Sequence, residues 1–212
     1  MTKVSRMIDR RFFVSLCLAT AAGLSAAAAA ADEAPEALVM RISGEVLDAV
    51  KADKSIQAGD VQKVIVLVDA KVMPSLNFRR MTASAVGKFW RQATPEQQQR
   101  LQEEFKTLLI RTYSGALSQV KDQTVSLKPM RSKPEDDDVV VRTEVRGKGD
   151  PVQLDYRLEK TPAGWKIYDV NVLGVWLVEN YRSSFAQEIG AGGIDGLIAK
   201  LAEKNKAASG KG

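Results

Sequence analysis

The sequence predicts an α+β domain in which amphipathic helices pack on a four-stranded antiparallel meander. Three observations carry that reading. Between Val139 and Leu173, apolar and polar residues alternate with period two, and Gly147-Lys148-Gly149-Asp150 and Thr161-Pro162-Ala163-Gly164 separate the runs. Upstream of this stretch, apolar residues recur at helical spacing. Downstream, Val178, Tyr181, Phe185 and Ile189 do the same. Helices and antiparallel strands segregated along a chain define the α+β class.

In chain order, the first 31 residues read as an export signal. Lys3, Arg6, Arg10 and Arg11 precede the apolar run Phe12–Leu24 and the alanine tract Ala26–Ala31, a pattern that predicts cleavage after Ala31. The run is shorter than the roughly 20 apolar residues that span a bilayer. Arg10-Arg11 leaves both the general and the twin-arginine export routes open. Removing the signal takes four basic residues and Asp9 with it, lowering the formal charge from +5 to +2. The basic balance therefore belongs to the signal, and no basic cluster suggests a nucleic-acid partner. Cys17, the single cysteine, lies within the signal. The expected mature domain thus has no disulfide and depends on its core.

The mature chain is expected to form one domain over 32–205, with a helical part over 36–120, a sheet over 124–173 and closing helices over 175–204. Residues 206–212 read as a disordered tail. Leu38, Ile42, Val46 and Val50 predict a helix over 36–50, and a second is expected from Val61 until Pro74 ends it, its long helical stripe outweighing the buried strand that Val64–Val68 would also suit. A third covers Asn77–Arg91. Thr94-Pro95-Glu96-Gln97 then supplies a capping threonine, a first-turn proline and a capping-box glutamine. The helix it opens carries Leu101, Phe105, Leu108, Leu109 and Tyr113 on one side. In the sheet, Val125, Leu127, Val141, Val145, Leu154, Tyr156, Tyr168, Val170 and Val172 are expected inward, with Asp155 and Asp169 on the wet face. A break at Gly190, Gly192 and Gly193 should separate the closing helices.

Reactive constellations are scarce. The chain has no histidine, which removes the usual general base near neutral pH and the common nucleophile pairs. No phosphate loop or nucleophile elbow is present. Asp155 and Asp169, on adjacent strands, form the one carboxylate pair worth weighing for acid–base work, and their predicted exposure favours ordinary surface charge. The acidic run Glu135–Asp138 reads as a solvated turn. No enzyme activity, metal or cofactor is expected. Four tyrosines, Tyr113, Tyr156, Tyr168 and Tyr181, fall on inward faces, where each hydroxyl needs a partner or a wet cavity mouth.

Several blocks in order resemble one family. They include Asn77-Phe78-Arg79-Arg80-Met81, Phe89-Trp90-Arg91-Gln92-Ala93-Thr94-Pro95-Glu96-Gln97 and Phe105–Tyr113. Asp155-Tyr156-Arg157-Leu158, Gly164–Val170, Asn180–Phe185 and Gly193–Ile198 continue the series. Together these are similar to MlaC, the toluene-tolerance family of periplasmic phospholipid carriers. Trp176 departs from the pattern, standing where relatives are expected to have a small polar residue.

The resemblance implies an NTF2-like core with an added helical part, enclosing an apolar cavity for acyl chains. It implies a monomeric periplasmic carrier that maintains outer-membrane lipid asymmetry. Its expected partners are an outer-membrane lipoprotein–porin complex and an inner-membrane ABC transporter bearing an MCE-domain subunit. The expected lipid-binding residues are Val141, Val145, Leu154, Tyr156, Val170 and Val172 from the sheet. From the helices they are Val68, Val72, Phe78, Met81, Leu109, Tyr113, Leu177 and Tyr181. Arg79, Arg80 and Arg111 are the candidates for a headgroup phosphate. The rival expectation is an envelope interaction or structural module with a filled core and no lipid.

Overall fold

A computed structural model describes residues 33–130, 133 and 135–209; the expected signal lies outside them. Helix α1 (Pro35–Ala52) starts with proline in its first turn and buries Leu38, Val39, Ile42 and Val50 along one stripe. Short helices α2 (Lys54–Gln57) and α3 (Val61–Leu67) follow. Asp53 and Asp60 cap them, each accepting two backbone N–H bonds. The second predicted helix does not run unbroken to Pro74. It widens into a π-helical turn, Val68–Val72, and tightens into a 3₁₀ turn, Met73–Ser75.

Helix α4 (Phe78–Val86) is capped by Asn77. It stops short of the expected Arg91 because Gly87 takes a positive φ of 66°, after which Gly87–Gln92 forms a 3₁₀ turn. Helix α5 (Pro95–Ser118) opens on the full reciprocal capping box between Thr94 and Gln97.

The sheet is antiparallel in the order β1 (Thr124–Leu127), β2 (Asp138–Arg146), β3 (Val152–Thr161), β4 (Gly164–Val172), β5 (Val175–Trp176). The expected count of four strands is corrected to five. Val175 and Trp176, expected in a helix, pair with Val172 and Asn171. Helix α6 (Leu177–Ser209) then runs to the end of the described chain and kinks at Gly193 (φ 69°, ψ −171°). Gly190 and Gly192 do not break it, and Lys206–Ser209, expected in a disordered tail, is helical.

A register shift at Arg157/Leu158 corrects the facing of β4. On one side of it Tyr156 pairs with Val170; on the other Leu158 pairs with Ile167. One extra residue on β4 restarts the alternation, so Ile167 joins Leu158 and Val139 in the core, and Tyr168 falls outside the inward row. The polar face is also less wet than expected, since Asp155, Asp169 and Asn171 are all buried. Leu127, expected inward, is 44% exposed on the edge strand.

Three apolar clusters hold the fold. α1 lies on the sheet through Leu38, Val39, Ile42, Val139, Val141, Leu158 and Ile167. An aromatic cluster joins α4, α5 and α6, with Phe105 5.1 Å from Tyr181 and 5.2 Å from Phe185 in edge-on contacts. The third gathers Val50, Ile56, Val64, Leu67, Ile110 and Val120.

Candidate functional site

The sheet register builds the candidate site in rows. Val141, Tyr156 and Val170 form one, and Thr143, Leu154 and Val172 the next, with Val145 opposite Val152 beyond them. Val141 is wholly buried under α1, whereas Tyr156, Val170, Leu154, Val172 and Val145 are only half-covered. The same intermediate state holds for Val68 and Val72 on the π turn, Leu109 and Tyr113 on α5, and Tyr181 on α6. The remaining expected lining residues, Phe78, Met81 and Leu177, are buried, the first two within the aromatic cluster.

The half-covered residues do not fill any single cluster. Val72, Tyr156 and Val170 border the α1–sheet cluster, Leu109 and Tyr181 the aromatic one, and Val68 the third. Close packing normally leaves little accessible apolar surface inside a domain of this size. Half-covered apolar side chains on the sheet, the π turn, α5 and α6 are the candidates for a ligand-contacting surface.

Tyr156 makes the point most sharply. Its side chain retains accessible surface, yet burial pushes the phenol pKa up, against hydrogen bonds with Ser43 and Thr143 that pull it down. Ser43 and Thr143 were not singled out from the sequence. The signal that would have found them is the need of an inward tyrosine for hydroxyl partners. Burial also raises the Tyr113 pKa, with a smaller contribution from neighbouring Tyr181.

The helix that carries Leu177 and Tyr181 is seated by a buried carboxylate. Asp169, 2% exposed, accepts from the backbone N–H of Val170 at 2.9 Å and of Val178, in the first turn of α6, at 3.1 Å. Arg157 donates to its other oxygen at 3.3 Å, reaches Glu179 at 3.3 Å, and stacks 3.9 Å from the Trp176 ring centroid. Desolvation raises the Asp169 pKa, against the two backbone donors and Arg157. Asp155 is held by Gln153 at 3.1 Å, with Arg142 at 3.9 Å. Both members of the candidate carboxylate pair thus have structural partners.

The three candidate headgroup arginines differ. Arg79 donates to Gln98 and lies 5.6 Å from the Trp90 ring. Arg80 is paired with Glu159 and Asp138 and stacks 3.4 Å over Tyr168, whose hydroxyl donates to Asp138 at 2.7 Å. Burial and that carboxylate push the Tyr168 pKa up to about 12. Arg111 has no ion pair among the described residues, and its buried Nε has no hydrogen-bond partner. Two surface clefts, of about 280 and 300 Å³, lie elsewhere. The first runs between α1 and the β3–β4 hairpin over Leu38 and Trp165, and the second along the glycine-rich part of α6. Neither includes the expected lining residues.

The family model described as MlaC protein matches residues 40–203. The chain belongs to the MlaC family. Among MlaC-like relatives, the toluene tolerance protein ttg2D of Pseudomonas putida is 28% identical over 188 residues, covering 84% of this chain and 86% of the relative. The intermembrane phospholipid transport system binding protein MlaC of Haemophilus influenzae is 21% identical over 196 residues, covering 91% and 92%. The fold also matches a solved structure, a phospholipid-binding protein from Ralstonia solanacearum in complex with a phospholipid. That match has a TM-score of 0.80 at 50% identity and covers 82% of this chain and 98% of the other. Within this MlaC fold, the Trp176 ring is covered by the Arg157 guanidinium at 3.9 Å from its centroid.

Proposed function

We propose that this chain is a periplasmic phospholipid carrier that shuttles lipid between outer- and inner-membrane complexes and so maintains outer-membrane lipid asymmetry. The observation that carries the reading is the set of half-covered apolar side chains on β2–β4, the π turn, α5 and α6. They occur in a fold shared with a protein solved with a phospholipid. Acyl chains lie between the sheet and these helices, against Leu154, Tyr156, Val170, Val172, Leu109 and Tyr113. Each methylene withdrawn from water contributes about 0.8 kcal/mol, so chain burial suffices to drive capture without catalysis. Arg111, with no ion pair among the described residues and a buried Nε that lacks a hydrogen-bond partner, is the arginine of the three that we assign to a headgroup phosphate. Residues 1–31 act as the removed export signal, and the domain from residue 32 onward is the carrier.

Native mass spectrometry of the mature protein purified from cells tests this directly. Bound phospholipid is expected. A clean unliganded mass under gentle conditions sinks the carrier reading and favours the filled-core envelope module, to which the complete burial of Val139 and Val141 under α1 lends its support.

A further inference from the structure

β4 and β5 are joined by Leu173 and Gly174, which have positive φ values of 52° and 91°. Two left-handed residues in succession make a tight strand reversal, and glycine, asparagine or aspartate is the usual choice for the first. Here it is leucine, the one non-glycine residue with positive φ among the described residues. A leucine adopts that conformation only at an energetic cost. Packing does not offset it. Leu173 is 66% exposed, and Val175, across the turn, is 48% exposed.

The turn is nevertheless well fixed. The Leu173 N–H donates to the Gln153 carbonyl at 3.2 Å, and the Gly174 N–H donates to Asn171 Oδ1 at 2.8 Å. Two apolar side chains are thus held outward on a tight tip. The strand register puts this tip next to Val172, at the sheet end that also carries Arg146, the last residue of β2 and paired with Glu144, and the exposed Lys148 of the β2–β3 turn. Trp176, half-covered beneath Arg157, follows directly.

We propose that the Leu173–Val175 turn is a membrane-docking tip. It inserts its two apolar side chains into the interfacial region of a phospholipid bilayer and brings the Val172 end of the chamber to the lipid. This rests on the carrier reading, since docking there serves a chamber that takes lipid. A protein partner fits less well, because two side chains on a convex turn supply a small fraction of the roughly 800 Å² per partner that a stable interface buries. A bilayer accepts such prongs one at a time, and the Trp176 indole stacked on Arg157 suits the headgroup depth. Asp150, on the same turn as Lys148, offsets part of the positive charge, so attachment is mainly apolar and only weakly salt-dependent.

The test uses the mature chain and vesicles of phosphatidylcholine, with and without bromine-labelled acyl chains. Vesicle cosedimentation is expected for the wild type, with quenching of tryptophan fluorescence that Trp176→Phe abolishes. The variant Leu173→Asn/Val175→Thr keeps the turn, because asparagine tolerates positive φ, and is expected to bind vesicles at least about tenfold more weakly while its thermal midpoint and copurified lipid are retained. Absence of wild-type cosedimentation, or equal binding by the variant, overturns the proposal. So does vesicle binding that appears only when membrane proteins are reconstituted, which assigns the tip to a protein partner. Loss of copurified lipid from the wild type with vesicle binding intact overturns the carrier reading and leaves the docking tip standing.

Discussion

Replacing Asp169 with alanine tests how the closing helix is seated on the sheet. The carboxylate is buried and accepts backbone N–H bonds from Val170 and Val178 at 2.9 and 3.1 Å. Losing a helix cap costs typically about 1 kcal/mol, and leaving a buried N–H unsatisfied costs about 1–3 kcal/mol. Against this, the raised pKa means that the buried charge is itself disfavoured, so its removal returns part of the loss. The net expectation is a destabilisation of about 2–3 kcal/mol. For a domain of this size that lowers the thermal midpoint by about 4–12 °C. Asp169→Asn keeps an acceptor oxygen for both N–H groups and removes the charge, so it should stay within about 1 kcal/mol of wild type. Urea unfolding of the three proteins measures both differences. A wild-type-like alanine variant, or an asparagine variant as weak as the alanine one, refutes the argument that the backbone donors, and not the Arg157 ion pair, make this carboxylate matter.

Other expectations concern pH and the proposed lipid site. Because burial raises the folded pKa of Asp169 above its ordinary 3.8, its contribution is fully present below pH 3.8 and is lost as pH rises through the folded pKa. The stability of wild type minus that of Asp169→Asn should therefore fall over that window and stay level at neutral pH; a difference that grows with pH contradicts this. Val170→Trp places an indole among half-covered residues and, by displacing about two methylenes of acyl chain, should weaken lipid retention roughly tenfold, read as bound lipid by native mass spectrometry. Unchanged lipid content would show that Val170 does not contact the lipid. Tyr156→Phe removes a hydroxyl shared with Ser43 and Thr143. Thr143 keeps its bond to the Leu154 carbonyl at 3.1 Å, so denaturant unfolding should show a loss of only about 1 kcal/mol.

Much of the architecture was legible in the sequence because it rests on local chemistry. The capping box at Thr94 and Gln97 formed as its spacing required. The meander between Val139 and Val172 followed from period-two alternation and two glycine-containing turns. Ordered sequence blocks pointed to the MlaC family, which the family match bears out.

What the tertiary structure alone decided is where local pattern carries no information. The bulge at Arg157/Leu158 is a property of two paired strands, and it moved Ile167 into the core and Tyr168 off the inward row. Asp169 reads as a surface residue along β4 because its burial depends on the N-terminus of α6 arriving from eight residues further on. Val141 and Val170 are equally apolar and face the same way in one row, yet the first is sealed beneath α1 and the second is half-covered. A filled core and a cavity wall draw on the same side chains, since both exclude water. Only the placement of the opposing helices determines which positions are packed and which remain available to a ligand.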